Sequence, residues 1–369
     1  MREIFTALLG AVLVAPLAHA ALQPLNAPVQ LRSTDLPNCG DSYAPPFADG
    51  GAATTLPRAC APVTQRSYVP RHHGLAYEIL MMESEACFVS DDSFRLLDSL
   101  IDQARDAIAF KVPAGEPWPA LANSTLATIG DVLAQNGFQL YIPTNTLGDA
   151  LIERPMSNGG KHILDCDTSS FIYLGVTEEP ALPVNLVEIT LSSGAGHNYL
   201  RWTAAGGRAL DWDTNGRAQC KTPSGLAAWQ GRSLSRTEVL GYSRSLRASL
   251  WERDQRFDRA VVDYREAISQ YPSGPTSYNN FAWLVATKSQ LSDPQLLAEA
   301  MTATKTAVSI ERSANYLDTL ACMYARVGDF ANAIVVQEEA LSKSPGNADL
   351  MAHMAAFRST PSAKTCVGM

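Results

Sequence analysis

The sequence predicts an α+β domain followed by an all-α domain of repeated helices. The middle of the chain has apolar residues first at helical and then at strand spacing, and the last third repeats one helical pattern at a fixed offset. The chain has 369 residues, of which 46 % are hydrophobic and 18 % are charged. This length suggests two or three domains with buried cores, and the composition excludes disordered and collagen-like chains.

Charge and hydropathy exclude two classes of partner. The chain has 29 Lys and Arg residues against 37 Asp and Glu residues, which gives a net charge of −8. Nucleic-acid binding requires a basic surface, so we expect no nucleic-acid partner. No apolar run approaches the roughly 18 residues that cross a bilayer, so we expect no membrane span.

Residues 1–20 have the pattern of a cleavable signal peptide. An apolar run from Ile4 to Val14 is followed by the small-x-small sequence Ala18-His19-Ala20. A short buried helix is the alternative interpretation. The signal-peptide pattern predicts a periplasmic or secreted protein, in a compartment where disulfides persist.

Residues 21–75 form a proline-rich segment for which we predict loops. Cys39 and Cys60 lie in this segment, and a disulfide between them would hold a stretch that has no core of its own. His72 and His73 are adjacent, but no third metal ligand lies at a recognisable spacing. We therefore predict neither a metal nor another cofactor.

Residues 76–235 contain helices and then strands. Apolar residues at helical spacing predict three helices, and acidic and hydroxylated residues predict a fourth that begins just after Cys166. An apolar run then predicts a strand, and a glycine-rich turn introduces two further strands that form a hairpin. These elements cover about 93–101, 121–136, 147–152, 167–176, 183–191, 197–202 and 208–213.

Three side chains of this domain could perform thiol chemistry together. A helix start and a nearby imidazole both stabilise a thiolate; Cys166 has the first by position, and His197 could supply the second. An acid on the neighbouring strand, either Asp211 or Asp213, could fix the tautomer of the imidazole. The candidate catalytic residues are therefore Cys166, His197, Asp213 and Asp211.

At these residues the sequence resembles the transglutaminase-like superfamily, over about residues 160–216. The matching motifs are Asp165-Cys166, Ala181-Leu182-Pro183-Val184, Gly196-His197 and Leu210-Asp211-Trp212-Asp213. The run from His197 to Trp202 looks like the bacterial branch, which often carries tetratricopeptide repeats after the catalytic core. The resemblance implies a papain-like α+β core. It also implies Cys166 as nucleophile, His197 as base, and Asp213 or Asp211 as the acid that orients the histidine.

The choice between the two aspartates depends on the hairpin register. With residues 204–207 as the turn, paired residue numbers sum to 411, which places position 214 opposite His197. Asp213 is one residue from that position, whereas Asp211 requires a larger bulge. The order Trp-Asp-Thr at 212–214 also resembles the bacterial branch, although the Leu-Asp pair at 210–211 resembles other branches. We therefore favour Asp213.

The residues that flank Cys166 are not those expected beside an activated thiol. Asp165 and Asp167 flank Cys166, and their charge opposes thiolate formation unless it is turned away or capped. Cys166 as an ordinary buried cysteine, or as half of a disulfide, is the alternative interpretation.

Residues 236–358 repeat with an offset of 73. The aligned sets are Ala260, Tyr264, Ala267, Pro272 and Ala333, Gln337, Ala340, Pro345. This offset is two units of roughly 34 residues plus a small insertion, and small residues recur where helices approach closely. The stretch resembles tetratricopeptide repeats, which implies a groove for a peptide or partner protein; a generic helical bundle is the alternative. Residues 359–369 form a tail.

The chain has seven cysteines, an odd number. We predict the pairs Cys39–Cys60 and Cys322–Cys366, although the six cysteines other than Cys166 allow fifteen pairings. A free Cys166 would fit an exported thiol enzyme.

These observations predict an exported thiol-dependent enzyme that transfers or hydrolyses acyl groups at amide bonds of a protein or peptide substrate. The alternative is a catalytically inert transglutaminase-like protein that binds a peptide or a partner protein through its repeats. The two predictions differ in the reactivity of Cys166, because an unactivated thiol is largely protonated near about pH 6.

Overall fold

Helices come first in the described part of the chain, a sheet follows, and helices continue to the end. The computed structural model describes residues 36–40, 67–86, 89–140, 146–154, 159–191, 194–359 and 366. The chain divides into two compact units, residues 1–36 and 37–369, and every element below belongs to the second. The predicted signal peptide and most of the predicted loop segment, including Cys60, lie outside the described residues.

The described residues before the main sheet form five α-helices and two short strands. They are α1 (Leu75–Glu83), α2 (Asp91–Lys111), α3 (Ala120–Gln135), β1 (Phe138–Leu140), α4 (Leu147–Ala150), β2 (His162–Leu164) and α5 (Cys166–Glu178). Strands β1 and β2 pair in parallel. The first three predicted helices are confirmed as α2, α3 and α4, and α2 is longer than its apolar spacing predicted.

Helix α5 lies at the centre of this half of the protein. Eleven of its 13 residues are buried, because α1 to α4 and strands of the main sheet surround it. The middle of the helix, from Phe171 to Val176, is apolar on nearly every side, which is typical of a helix surrounded by other elements. Its first turn is therefore held in place by packing on all sides.

The main sheet is antiparallel and has four strands in sequence order. They are β3 (Val184–Thr190), β4 (Gly196–Thr203), β5 (Ala209–Asp213) and β6 (Ala218–Cys220). The predicted strand at 183–191 and the predicted hairpin are confirmed as β3 and as β4 with β5.

The register of the β4–β5 hairpin differs from the prediction. Leu200 pairs with Trp212, so paired residue numbers sum to 412 and the predicted sum of 411 is wrong. The reason is the length of the turn. The amide of Ala204 donates to the carbonyl of Arg208, and three residues, 205–207, form the loop in place of the predicted four.

The two faces of the main sheet pack differently. Leu186, Leu200 and Trp212 belong to the large core that includes α5. Tyr199, one residue away from Leu200, points to the opposite face, where it packs with Cys39 in a small cluster. Successive side chains of β4 therefore point alternately to the face that packs on α5 and to the face that packs on Cys39.

Seven helices form the C-terminal third of the described chain. They are α6 (Arg236–Arg253), α7 (Phe257–Gln270), α8 (Pro275–Thr287), α9 (Pro294–Ile310), α10 (Ala314–Arg326), α11 (Phe330–Lys343) and α12 (Ala348–Ser359). They pack as the pairs α6–α7, α8–α9 and α10–α11, with α12 against α11, an arrangement compatible with helical repeats. No helix in the described ranges is both long and apolar enough to cross a membrane.

The 73-residue offset identifies the packing faces of two of these helices. The aligned residues of α7 and α11 are all buried, with at most 1 % exposed: Ala260, Tyr264, Ala267, Ala333, Gln337 and Ala340. The four alanines among them let neighbouring helices approach closely.

One predicted disulfide is confirmed and the other is wrong. Cys322 bonds to Cys366, as predicted, but Cys39 bonds to Cys220 and not to Cys60. The physical reason is that residues 37–40 lie beside the end of β6. There the amide of Cys39 donates to the carbonyl of Lys221, and the amide of Lys221 donates to the carbonyl of Pro37, both at 2.9 Å.

Candidate active site

Cys166 is the first residue of α5. The side chain of Asp165 accepts a hydrogen bond from the amide of Thr168 (2.8 Å), and the Thr168 hydroxyl accepts one from the amide of Asp165 (3.0 Å). This reciprocal cap starts the helix one residue earlier than the sequence predicted, because Asp165 and not a later residue is the cap. It also fixes the backbone position of the cysteine.

The thiol of Cys166 is buried, and it is the one free thiol among the described cysteines. It lies 3.7 Å from Oδ1 of Asp167, to which its S–H donates, and it accepts a hydrogen bond from the backbone amide of Asn198. Burial raises the pKa of this thiol well above its usual value, and the charges of Asp167, Asp165 and Asp213 raise it further. The resting group is therefore a protonated thiol, and the flanking Asp167 is not turned away from it.

His197 and Asp213 meet on the side of the sheet that carries Cys39. Nε2 of His197 lies 3.6 Å from Oδ2 of Asp213, and these side chains are 0 % and 5 % exposed. Oδ1 of Asp213 accepts hydrogen bonds from the amides of Asn215 (2.9 Å) and Gly216 (3.3 Å). Backbone amides thus hold Asp213 with its other oxygen towards the imidazole, as an orienting acid requires.

Asp211 has a different partner. Its two oxygens accept hydrogen bonds from Nε (2.6 Å) and Nη2 (2.8 Å) of Arg201, and the hydroxyl of Thr222 donates to it as well. A planar guanidinium that contacts both oxygens makes a strong, directional ion pair. Of the two candidate aspartates, the structure therefore brings Asp213 to His197 and leaves Asp211 with Arg201.

The side chains of His197 and Asn198 have different surroundings. Asn198 follows His197, so the two side chains point to opposite faces of the sheet. The Asn198 side chain faces α5, where it donates to Asp167 and its oxygen accepts from the hydroxyl of Ser170 (2.9 Å). Asn198 thus joins the strand to the first turns of α5, while the imidazole of His197 lies with Asp213.

Residues 37–40, here called the N-terminal strap, cover the His197–Asp213 pair. The amide of Gly40 donates to Oδ2 of Asp213 at 2.9 Å, the same oxygen that faces His197. A Cβ at Gly40 would lie 2.5 Å from Cδ2 of Leu191 and 3.1 Å from Cδ2 of His197. Its φ of +92° also lies in the left-handed region, so glycine alone fits this position without strain. The disulfide Cys39–Cys220 holds the strap in place.

Sequence reasoning missed three residues that shape this site. The hydroxyl of Tyr242 on α6 donates to Oδ1 of Asp167 at 2.6 Å across 75 residues of chain, and Gly40 contacts Asp213 across 173. Nothing local predicts either contact. Asn198 could have been suspected, because an amide beside the histidine of the Gly-His motif is well placed to contact the same helix.

One cavity of about 270 Å³ lies beside the start of α5 and the end of β5. Ser169 and Thr214, whose hydroxyls are hydrogen-bonded at 2.7 Å, form part of its wall. The other lining residues are Gly130, Leu133, Ala134, Phe138, Gln139, Leu140, Leu164, Tyr173, Asn215 and Arg217. This cavity adjoins the elements that carry Cys166 and Asp213.

A second cavity, of about 310 Å³, lies between α8, α10 and the start of α12. Its wall combines amides, carboxylates and one indole: Asn279, Asn280, Trp283, Asn315, Asp318, Thr319, Asn347, Asp349, Leu350 and His353. Nδ1 of His353 lies 2.8 Å from Oδ1 of Asp318 in this wall. The cavity is therefore predominantly polar.

The described residues contain one grouping of metal-ligand type, Cys322, His353 and Cys366. The two sulfurs are joined to each other in a disulfide, so neither is a thiolate that could bind a metal. This grouping is therefore a disulfide packed beside a histidine.

Comparisons with known proteins give little guidance. No family model matches the chain, and no curated protein matches it. Among solved structures it resembles a thermophilic TPR protein of Thermus thermophilus, with 19 % sequence identity and a TM-score of 0.27 over 34 % of this chain. The chain spans 63 % of the length of that protein.

Proposed function

We propose that the protein is an exported thiol-dependent enzyme that transfers or hydrolyses acyl groups at amide bonds. Residues 76–235 would form a transglutaminase-like core, and the repeats would bind the protein or peptide that carries the amide. One observation supports this most. The free thiol begins a buried helix that packs on strand β4, and the same strand carries a histidine paired with an aspartate.

The proposed reaction divides into acylation and release. Cys166 gives its S–H proton to a neighbouring base and attacks the amide carbonyl as a thiolate, and backbone amides at the start of α5 stabilise the oxyanion. The protonated imidazole of His197, held by Asp213, delivers its proton to the leaving amine as the C–N bond breaks, which leaves a thioester. The same imidazole then takes a proton from the water or amine that resolves the thioester.

The repeat region supplies a binding surface for the proposed substrate. Its cavity of about 310 Å³ is lined by four asparagines, whose side-chain amides can both donate to and accept from a peptide backbone. Trp283 in the same wall offers an apolar face. A segment of peptide fits such a wall better than a wholly apolar ligand does.

Trapping of the acyl-enzyme tests the proposed function. The full chain, with its disulfides intact, is incubated with a panel of glutamine-containing peptides, with and without a primary amine. We expect mass spectrometry of the acid-quenched protein to show an acyl adduct on the peptide that contains Cys166. We also expect deamidated or amine-coupled product.

Two variants serve as controls for this experiment. Cys166→Ser should lose adduct and product, whereas Asp106→Asn, at an exposed position on α2, should retain both. Product formation that persists in Cys166→Ser would show that this thiol is not the nucleophile.

A binding scaffold with an inert core is the second candidate, and one observation favours it. Burial and three nearby carboxylates raise the pKa of the Cys166 thiol well above its usual value, which opposes activation of the resting thiol. In this case the repeats would bind their partner while the trapping experiment finds no adduct. Labelling of Cys166 by a thiol-reactive probe near about pH 6 separates the two, because an unactivated thiol reacts slowly there.

A further inference from the structure

Asp167 connects the thiol to the first helix of the repeat region. Its Oδ1 accepts a hydrogen bond from the hydroxyl of Tyr242 on α6 (2.6 Å) and another from the side-chain amide of Asn198 on β4. The same oxygen lies 3.7 Å from the sulfur of Cys166. Three elements, α5, β4 and α6, therefore meet at one carboxylate oxygen.

Each of the three groups around this oxygen is a donor. The Tyr242 hydroxyl and the Asn198 amide stabilise the ionised carboxylate and fix its position, so that the S–H of Cys166 faces an acceptor. The backbone amide of Asn198 also donates to the sulfur, which stabilises a thiolate. The donors thus fix the position of the carboxylate at the S–H, although they lower its affinity for the proton, and the amide at the sulfur favours the thiolate that remains.

A proton transfer within this pair avoids the repulsion that opposes thiolate formation. The S–H of Cys166 and the carboxylate of Asp167 together carry one negative charge. After transfer, a thiolate and a protonated carboxyl group carry the same single charge. The carboxylate that repels a thiolate is neutralised in the step that creates the thiolate, so the two groups titrate as a pair.

We propose that Asp167 accepts the proton of Cys166 and that Tyr242 is a positioning residue for this step, so that the first helix of the repeat region completes the thiol site. The proposal rests on the proposed function, in which His197 and Asp213 serve the leaving amine and the resolving water or amine. It gives α6 a part in the chemistry in addition to its place in the repeats.

Other titratable groups also face the pair. Asp165 precedes α5, Glu188 lies on β3, and Asp213 lies on β5. Burial raises the pKa of Asp167 to about 6 and that of Glu188 to about 7. Because both carboxyl groups titrate within the range of the experiment below, each needs its own variant.

The pH dependence of thiol alkylation tests the proposal. The full chain with intact disulfides is treated with iodoacetamide from about pH 4 to about pH 9, and peptide mapping gives the rate at Cys166. We expect the logarithm of the rate to rise to a break near the pKa of Asp167, about 6. Above the break the rate should be flat, because the fraction of thiolate with protonated Asp167 no longer changes. Asp167→Asn should remove the break and leave a rate that rises throughout.

Tyr242→Phe tests the positioning role. The ring, which packs edge-on against Phe171 with centroids 6.5 Å apart, is retained, and only the hydroxyl is lost. The ionised Asp167 then loses a donor, so the break should move up by ~0.5–1 pH unit. Tyr278→Phe on α8 is the matched control and should leave the break in place. If Tyr242 had only a structural role, Tyr242→Phe would lower the melting temperature without moving the break.

Two further variants decide between acceptors. His197→Ala should lose turnover but keep the break, and Glu188→Gln should keep it as well. A break that disappears in His197→Ala and survives in Asp167→Asn would overturn the proposal while leaving the proposed function intact. A break that depends on Asp167 in a protein that forms no acyl adduct would support the proton acceptor and contradict the proposed function. If Asp167→Asn does not fold, the shift in Tyr242→Phe decides the question.

Discussion

Asp211 and Asp213 are two residues apart on β5, with both side chains on one face, yet they have different partners. Arg201 binds the first through both carboxylate oxygens, and His197 lies 3.6 Å from the second. The sequence favoured Asp213 through a register that is wrong by one residue, and that register could not show the ion pair. The sequence could predict the residue types and the strands that carry them. It could not predict which aspartate contacts Arg201 and which contacts His197, because that depends on a turn one residue shorter than expected.

The two aspartates should therefore respond differently to the same substitution. Asp213→Asn keeps the shape of the side chain but weakens its hold on the imidazole, so we expect turnover to fall by about 10²–10⁴-fold. Asp211→Asn should change turnover little. It should lower the free energy of unfolding by about 1–3 kcal/mol, because the half-buried Arg201 loses its carboxylate. Peptide turnover and thermal unfolding, measured on both variants, check this. The reverse ranking in turnover would move the orienting role to Asp211.

At the scale of elements, the N-terminal strap acts as a short extra strand beside β6. Asn38 and Lys221 form a parallel bridge there, and the disulfide Cys39–Cys220 fixes the contact. The strap reaches the candidate site through Gly40, whose amide donates to Asp213 and whose position leaves no room for a Cβ beside the ring of His197.

Gly40→Ala should detach the strap. Any residue other than glycine in the left-handed region costs about 1–2 kcal/mol, and a Cβ here would also overlap Leu191 and press against His197. Gly115→Ala is the matched control, since its φ is +81° but nothing lies within 4 Å of an added Cβ. We expect a larger fall in melting temperature for Gly40→Ala. We also expect faster reduction of Cys39–Cys220 by dithiothreitol, with Cys322–Cys366 as the internal reference. Equal losses in the two variants would mean that the strap does not press on the site.

Elements with local signals were predictable, and contacts between distant elements were not. The apolar spacing of α3 is a pattern of neighbouring residues, and the 73-residue offset between α7 and α11 is such a pattern repeated along the chain, so the sequence alone indicates both. The strap has no periodicity, and its disulfide partner lies 181 residues away. Tyr242 likewise belongs to a helix whose pattern predicts packing but not the contact of its hydroxyl with Asp167.

At the scale of the whole molecule, buried carboxyl groups dominate the expected pH dependence. Burial raises the pKa of Glu83 to about 8, of Glu188 to about 7 and of Asp149 to about 6. A carboxyl group whose pKa is raised by folding contributes stability below its unfolded pKa, and this contribution is lost as the pH rises through the folded value. Glu179 and Glu238, whose pKa values hydrogen bonds and nearby arginines lower to about 2, lose their contribution only below about pH 4.5.

The free energy of unfolding should therefore be larger near about pH 5 than near about pH 8. The difference should be about 1.4 kcal/mol for each unit by which folding raises the pKa of a carboxyl group within this range. Melting temperatures at the two pH values measure this difference. Glu188→Gln, which is neutral at both, should narrow the difference, whereas the exposed Glu153→Gln should not. A melting temperature that is higher at about pH 8 in the unsubstituted protein would contradict the raised pKa values.

The Cys39–Cys220 bond also sets an order of events in time. A chain is made from its N-terminus, so Cys39 emerges before Cys60, Cys87 and Cys166, and each of these can meet it before Cys220 exists. The native bond must therefore either wait for most of the core domain or replace an earlier pair by thiol–disulfide exchange. Because β6 must be in place before the strap can lie beside it, His197 and Asp213 are covered only in a molecule whose sheet is already complete.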